Sequence, residues 1–352
     1  MTTTTTEPAV LDPRDGDPLL VVDALHTEIM TPRGALKAVD GVTFSLRQGE
    51  TLGVVGESGS GKSVMGRTVM GLYRSGGNMN VSGQVLLDGE DIQSMTPREL
   101  RRIWGSKVGM VFQDPMTALN PVKKIGAHLT ETLKEHSKLD GKAARNRAEE
   151  LLNLVGIPEP RRRLDQFPHE MSGGMRQRVV IAIALANNPR LLIADEPTTA
   201  LDVTVQKQIL DLLQRLQAEL GMAVILISHN LGVVAGRADR VGVMYAGRFA
   251  ELAPAKSLFG QPQHPYTHAL LAAIPKLEQP PHVRLDAIEG APPNMINPPH
   301  GCRFAPRCKF AQDDCTQVPP RLVPTDQSNR MGHLRHWYAC YHPVSHDTRG
   351  GE

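Results

Sequence analysis

The sequence predicts an α/β fold in which a mostly parallel sheet is built around a phosphate-binding loop. The apolar run at 51–55 predicts a buried strand, and a glycine-rich loop at 56–63 and a helical pattern follow it. Two further apolar runs, at 191–194 and 223–227, predict strands on either side of an amphipathic helix at 203–220. Strands that alternate with helices in this way indicate a parallel sheet.

The loop reads Gly-Glu-Ser-Gly-Ser-Gly-Lys-Ser and fits the P-loop pattern G-x-x-x-x-G-K-[ST]. Its glycines allow successive backbone N–H groups to point at one anion, and the following helix N-terminus adds partial positive charge. We expect Lys62 to contact the β- and γ-phosphates of a nucleotide and the Ser63 hydroxyl to bind Mg²⁺. The residues predicted to bind nucleotide here are Gly56, Glu57, Ser58, Gly59, Ser60, Gly61, Lys62, Ser63 and Val64.

Composition limits the classes of protein that fit. The net charge is +2, from 39 basic and 37 acidic residues among 352, so the overall charge does not indicate a nucleic-acid partner. No stretch approaches the roughly 18 apolar residues that span a bilayer. Residues 1–17 begin with a threonine tract, lack the features of a signal peptide and are expected to form a disordered tail. We therefore expect a cytoplasmic protein whose membrane role would need separate membrane-spanning partners.

Other segments predict the surroundings of this core. Short β-type runs between residues 19 and 46 and at 81–87 predict a small antiparallel sheet. A helix is predicted at 95–103, where Thr96 and Glu99 fit a capping box, and the helical pattern is continuous over 125–156. The predicted domains are a tail (1–17), a nucleotide-binding domain (18–255) with a helical subdomain at about 114–185, and a proline-rich C-terminal region with few regular elements (256–352).

Polar residues follow the predicted strands where parallel sheets bind ligands. Asp195 and Glu196 end one such strand. We expect Asp195 to hold Mg²⁺ through water and Glu196 to orient and deprotonate the attacking water. Ser172, Gly173 and Gly174 open a predicted helix, where a serine cap and bare N–H groups form a second anion site. A single nucleotide does not need two distant phosphate sites in one chain.

With these motifs in this order, residues 18–255 resemble the ATP-binding-cassette (ABC) family, whose signature, commonly Leu-Ser-Gly-Gly-Gln, corresponds to Met171–Met175. The resemblance implies a P-loop NTPase of the ABC type, with a RecA-like parallel sheet core, an antiparallel β subdomain and a helical subdomain, that hydrolyses ATP with Mg²⁺. It implies that Gln113, in the Q-loop, senses the γ-phosphate and binds Mg²⁺. It also implies that Asp202 lies in the D-loop beside the nucleotide and that His229 is the switch histidine.

The resemblance further implies a head-to-tail pair of cassettes that enclose each ATP between the P-loop of one and the Ser172-Gly173-Gly174 stretch of the other. The implied partners are two transmembrane permease subunits, an extracytoplasmic substrate-binding protein and a second, identical or homologous cassette, with no nucleic acid. Family members usually stack an aromatic residue on adenine. Here Ile29 is the best match to that position and His26 a weaker one, and losing the ring would weaken adenine binding by about 1 kcal/mol.

The C-terminal region resembles the extension of importers for oligopeptides, dipeptides and nickel, through His264-Pro-Tyr-Thr267 and through its cysteines. The cysteine site consists of Cys302, Cys308, Cys315 and Cys340. Its spacings of five, six and 24 residues do not form a ferredoxin pattern, but some members of this branch carry a [4Fe–4S] cluster there. A structural [4Fe–4S] cluster is the preferred interpretation, and tetrahedral Zn²⁺ or no metal are the alternatives. The histidines at 264, 268, 333 and 336 are weaker candidate ligands.

The leading hypothesis is therefore the ATPase subunit of an ABC peptide importer at the cytoplasmic face of the cell membrane. The same machinery could import nickel or another small solute. A soluble ABC ATPase acting on ribosomes or DNA fits less well, because the chain has one cassette and no sustained heptads. A redox- or iron-sensing regulator would use the cysteine site to gate ATP turnover.

Overall fold

The computed structural model describes residues 18–137, 139–199, 201–274, 288–325 and 335–344. The predicted tail at 1–17, Ala200 and His333 lie outside these ranges. The strands are β1 (Leu20–Thr31), β2 (Gly34–Leu46), β3 (Thr51–Val55), β4 (Met79–Leu87), β5 (Glu90–Asp91), β6 (Val108–Val111), β7 (Leu191–Asp195), β8 (Ala223–Ser228), β9 (Arg240–Tyr245), β10 (Arg248–Pro254), β11 (Val323–Pro324) and β12 (Trp337–Tyr338). The helices are α1 (Lys62–Val69), α2 (Pro97–Ile103), α3 (Pro115–Ala118), α4 (Ile125–Ser137), α5 (Gly141–Leu154), α6 (Pro160–Arg163), α7 (Gly173–Ala184), α8 (Val203–Leu220), α9 (Leu231–Val234), α10 (Ala255–Gly260) and α11 (Pro265–Ala272).

The chain forms two compact units, each assembled from separate stretches. The first unit takes the residues up to 46, residues 51–93 and those from 228 onward, and the second takes 47–50 and 94–227. The P-loop and the cysteine site thus belong to the first unit, whereas the predicted catalytic carboxylates belong to the second. Within the described ranges, no helix has the length and apolar character needed to cross a membrane.

The first unit contains the predicted antiparallel sheet, in the strand order β2-β1-β4-β5. Strands β1 and β2 form a hairpin that closes at the Thr31–Gly34 pair. Strands β4 and β5 are joined at Asp88 and Gly89, whose φ angles of +52° and +78° suit a tight hairpin turn. The strands β1 and β2 are 12 and 13 residues long, so they extend well beyond the short apolar runs that predicted them. Beyond those runs, half-buried polar residues continue the pairing of β1 with β2.

The same unit holds five further strands in the order β11-β12-β10-β9-β3. Strands β3 and β9 are parallel and buried at every position, and the P-loop connects β3 directly to α1. Strand β10 runs antiparallel to β9, and the short C-terminal strands β12 and β11 extend this edge. The C-terminal region therefore joins the sheet that carries the P-loop.

The second unit contains three parallel strands in the order β8-β7-β6, together with helices α2 to α8. The predicted capping box at α2 is present, since Glu99 N–H donates to Thr96 Oγ1 at 3.3 Å and Thr96 N–H to Glu99 Oε2 at 2.7 Å. The helical pattern predicted over 125–156 is interrupted, and two helices, α4 and α5, occupy it. The break arises because Asp140 accepts the N–H of Ala143 and caps a new helix.

Candidate functional site

The P-loop backbone has a shape that glycine alone permits at two positions. Gly56 has φ of +151° and Gly61 has φ of +100°. A Cβ atom on Gly56 would lie 2.1 Å from the Met244 carbonyl oxygen, and one on Gly61 would lie 2.1 Å from that of Ala38. The loop therefore passes directly against neighbouring backbone at both glycines, where a side chain has no room.

Lys62 extends its side chain back over this loop and is 4% exposed. Its ammonium group donates to the carbonyl oxygens of Gly56 and Glu57 at 2.8 and 2.9 Å and lies 3.2 Å from Ser60 Oγ. Helix α1 begins at Lys62 without a side-chain cap. A helix N-terminus and an ammonium group at one loop suit phosphate oxygens. Ser63, in the first turn of α1, is half-buried.

The second unit brings together Gln113 and Glu196, as the sequence predicted for one active site. Glu196 directly follows β7, which ends at the fully buried Asp195. Its Oε2 accepts hydrogen bonds from Gln113 Nε2 at 3.1 Å and from Thr199 Oγ1 at 2.8 Å. The Glu196 N–H donates to the Ile227 carbonyl at 3.0 Å, and its φ is +47°. Sequence reasoning missed Thr199, although it follows Glu196 by three residues.

The predicted second anion site lies at the start of α7. Ser172 caps this helix by accepting the N–H of Met175 at 3.3 Å, and its own position is exposed. A Cβ on Gly174 would lie 2.7 Å from Val205 Cγ1, so a small residue is needed where α7 passes α8. Asp202 caps α8 by accepting the Val205 N–H at 2.9 Å. Both predicted binding residues, Ser172 and Asp202, thus also have a local structural role.

The remaining predicted nucleotide contacts lie in the first unit. His229 is exposed and directly follows β8. Ile29 is half-buried in β1, opposite Leu36 and Met79. His26, the weaker candidate for the adenine contact, pairs with Asp40, and its Nδ1 lies 3.0 Å from Asp40 Oδ1.

The cysteine site contains four free thiols, of which Cys315 is buried and the other three are half-buried. The Cys302 N–H donates to the Cys315 carbonyl at 2.7 Å. Burial raises the pKa of the Cys302 and Cys308 thiols, and it raises the pKa of Cys340 to about 12; charge on the neighbouring cysteines adds to each shift. The four thiols are thus close enough to act on one another electrostatically.

One tighter group of possible metal ligands adjoins this site. Among the described residues, Asp314, Cys315 and His342 are the group whose ligand atoms all lie within 4.8 Å of one another. His342 Nε2 lies 2.9 and 3.0 Å from the two carboxylate oxygens of Asp314. Sequence reasoning missed His342, although it stands two residues after Cys340. Of the histidines that it considered, His268 is exposed and His336 pairs with buried Glu251 at 2.5 Å.

Comparisons with known proteins establish the family of this chain. A family model described as "ABC transporter" matches residues 39–199, and one described as "Oligopeptide/dipeptide transporter, C-terminal region" matches residues 250–315. The oligopeptide transport ATP-binding protein OppD of Bacillus subtilis (strain 168) is 50% identical over 309 residues, which cover 88% of this chain and 86% of that protein. The Salmonella typhimurium (strain LT2) protein of the same name is 45% identical over 338 residues, covering 96% and 98%.

A similar solved structure is a dimeric post-hydrolysis state of the ATP-binding cassette MJ0796 bound to ADP and Pi. It has a TM-score of 0.60 and 28% identity, and the match covers 67% of this chain and 98% of that one. The fold is accordingly that of an ABC cassette, and the match at residues 250–315 confirms the predicted resemblance to the oligopeptide/dipeptide transporter extension. This chain belongs to the ABC transporter family, in the branch that carries the oligopeptide/dipeptide transporter C-terminal region.

Proposed function

We propose that this chain is the ATP-hydrolysing subunit that powers import of di- or oligopeptides through a membrane permease complex. One observation carries the proposal: a single chain combines the P-loop geometry with a C-terminal region matched to oligopeptide and dipeptide transporters. Relatives named for oligopeptide or dipeptide transport match 86% or more of it at 45–50% identity. A P-loop alone would support nucleotide binding without indicating the cargo.

In this proposal the phosphates bind at the P-loop, where Lys62 and the N-terminus of α1 supply positive charge. The Ser63 hydroxyl and the Asp195 carboxylate are oxygen ligands of the kind that Mg²⁺ prefers. Bound Mg²⁺ supplies charge neutralisation at the β- and γ-phosphates. Gln113 is proposed as a further ligand, His229 as the γ-phosphate contact, and Ile29 as the residue that packs on adenine.

Glu196 is the proposed general base. Its Oε2 already accepts two hydrogen bonds, from Gln113 and Thr199, which limit the rotation of the carboxylate. A carboxylate held in this way can orient a water molecule and accept its proton as that water attacks the γ-phosphate. Gln113 is well suited to report nucleotide state, because it links Glu196 to the segment that leads into α3.

We further propose that two cassettes enclose the nucleotide, with the Ser172 end of α7 in one facing the P-loop of the other. The exposed, capped start of α7 supports this, and the similar MJ0796 structures are described as dimeric. Membrane permease subunits are the expected partners of such a cassette. We propose two of them, together with an extracytoplasmic substrate-binding protein, and a location at the cytoplasmic face of the cell membrane.

The cysteine site is proposed to hold a [4Fe–4S] cluster. Thiols whose pKa values are raised by burial need a cation to become thiolates, and iron would supply it. Four thiolates around one Zn²⁺ would place their sulfurs about 3.8 Å apart, given a Zn–S distance of about 2.3 Å. Among the described residues, no group of three cysteines meets even a 4.8 Å spacing. A tetrahedral Zn²⁺ site would require the thiols to move closer together, and Zn²⁺ is the alternative to the cluster.

The test of the proposed activity is the Glu196→Gln variant, purified and assayed for ATP binding and phosphate release with Mg²⁺. We expect ATP binding to persist, the nucleotide-bound dimer to accumulate, and turnover to fall by a factor of about 100 or more. Glu135→Gln is the matched control, since Glu135 is an exposed glutamate on α4. Normal turnover by Glu196→Gln would remove the general base assignment, and a wild type that neither binds nor hydrolyses ATP would refute the proposed function.

A further inference from the structure

Two side chains from the C-terminal region hold the P-loop residue Glu57. The Tyr266 hydroxyl accepts a hydrogen bond from the Glu57 N–H at 2.9 Å. The Arg307 guanidinium donates to both carboxylate oxygens of Glu57, at 2.7 and 3.0 Å. Tyr266 and Arg307 are 209 and 250 residues away along the chain, yet both belong to the same compact unit as the P-loop.

The His-Pro-Tyr-Thr motif explains how Tyr266 reaches the loop. His264 Nδ1 accepts the Tyr266 N–H at 3.0 Å and caps α11, while Pro265 occupies the first helical position that proline favours. The buried Glu251 carboxylate accepts the N–H groups of Gln263 and His264 at 2.8 and 2.9 Å. Tyr266 itself is fully buried. Its hydroxyl is therefore placed by a rigid helix start.

Arg307 is equally constrained. Its side chain is 5% exposed, and further N–H groups donate to the carbonyl oxygens of Glu289 at 2.9 Å and Ile288 at 3.2 Å. The guanidinium also lies 5.9 Å from the centre of the Tyr245 ring. A guanidinium so deeply placed needs an anionic partner, and Glu57 is that partner. This bidentate contact fixes the orientation of the Glu57 carboxylate and neutralises its charge.

These contacts act on the residue that supports Lys62. The Glu57 carbonyl oxygen accepts from Lys62 Nζ at 2.9 Å, so the residue held by Tyr266 and Arg307 is part of the phosphate cradle. An unpaired Glu57 carboxylate would also repel a triphosphate bound at the same loop. Because this inference takes nucleotide binding from the proposed function, it deepens that function.

We propose that Arg307 and Tyr266 are positioning residues for the nucleotide, which neutralise and orient Glu57 and thereby raise the affinity of the P-loop for MgATP. The experiment titrates full-length protein with a fluorescent ATP analogue and Mg²⁺. We expect Arg307→Ala to raise Kd about tenfold, the scale of one lost charge-assisted pair, and Arg307→Lys to restore part of the loss. KM for ATP should rise with Kd while kcat stays within about twofold, because the Glu196 group is unaltered.

Arg321→Ala is the matched control, since Arg321 is an exposed arginine of the same region, and it should leave Kd unchanged. The electrostatic part is tested in a Glu57→Gln background. There Arg307→Ala should change Kd by less than about twofold, because no carboxylate charge remains to repel the nucleotide. Tyr266→Phe provides a second, milder variant. It should raise Kd by a similar factor whether Glu or Gln stands at position 57, because the Tyr266 hydroxyl contacts the backbone N–H of that residue.

Wild-type Kd in both Arg307→Ala and Tyr266→Phe would overturn the inference while leaving the proposed function intact. Equal losses of affinity with and without the Glu57 carboxylate, accompanied by lower unfolding temperatures, would indicate a purely structural contact and would also overturn it. A wild type that binds no nucleotide would instead refute the proposed function on which the inference rests.

Discussion

Two glycines of the P-loop form a matched pair that tests whether close backbone contact shapes the loop. Gly61 and Gly59 both have left-handed φ angles, +100° and +78°. A Cβ atom on Gly61 would lie 2.1 Å from the Ala38 carbonyl oxygen, whereas one on Gly59 would have no heavy atom within 4 Å. The Gly61→Ala and Gly59→Ala substitutions therefore add the same methyl group in the same loop, but only the first one clashes.

The expected loss of stability has two parts, the cost of the left-handed backbone conformation and the cost of the steric clash. A left-handed conformation costs an alanine roughly 1–2 kcal/mol, and both variants share this term. Forcing a methyl group into occupied space costs roughly 1–3 kcal/mol more, and only Gly61→Ala incurs it. The clash is with backbone, which cannot move aside by rotating a side chain. We therefore expect Gly61→Ala to unfold at a temperature roughly 2–12 °C below that of Gly59→Ala.

The assay is thermal unfolding of both purified variants and the wild type without nucleotide, so that any contact of the new methyl group with ATP does not contribute. Equal unfolding temperatures for Gly61→Ala and Gly59→Ala would refute the steric reasoning. A larger loss in Gly59→Ala would also refute it.

Three other perturbations address separate parts of the molecule. Lys62→Ala should weaken MgATP binding roughly 10- to 100-fold in a titration, with exposed Lys142→Ala as control, and unchanged binding would contradict the role of Lys62. Burial lowers the pKa of His264 to about 4, so the unfolded chain takes up a proton first and stability falls by up to about 3 kcal/mol as pH drops from 6.5 toward 4. His264→Asn keeps a capping acceptor without titrating and should flatten that part of the unfolding profile; an unchanged profile would count against the assignment. Serine at all four positions of the cysteine site should abolish bound iron and lower the unfolding temperature, whereas normal stability with loss of a redox response of ATPase activity would favour a sensor.

Local signals were sufficient where neighbouring residues decide the structure. The P-loop and its flanks, the capping box at Thr96 and Glu99, and the strand that ends at Asp195 each depend on a few consecutive residues. The pattern over 125–156 predicted continuous helix because its apolar spacing continues across the break between α4 and α5. The break depends on one side-chain contact, from Asp140 to the Ala143 N–H, which competes with continued helix.

Non-local pairing explains what the sequence did not predict. Strands β11 and β12 have two residues each, too few for any periodicity, and β12 exists because its backbone pairs with Glu251 and Leu252. The carboxylate of Glu57 gave no sign of its partner, since any basic residue of the chain would have been an equally plausible one. In contrast, the Gln113–Glu196 contact was predictable, because both residues follow strands of one parallel sheet.

The charges of the C-terminal region indicate why it folds together with the P-loop sheet. Arg303 and Arg307, four residues apart, donate to Asp40 and Glu57. The hydrogen bond from His26 holds the pKa of Asp40 well below its usual range despite burial, and Arg248 and Arg303 add to the effect. Removing this region would leave Glu57 without the Arg307 pair and Asp40 without one of its cations. The Glu57 carboxylate, which belongs to the P-loop, would then repel a triphosphate bound there, so the C-terminal region contributes to the electrostatics of the nucleotide site.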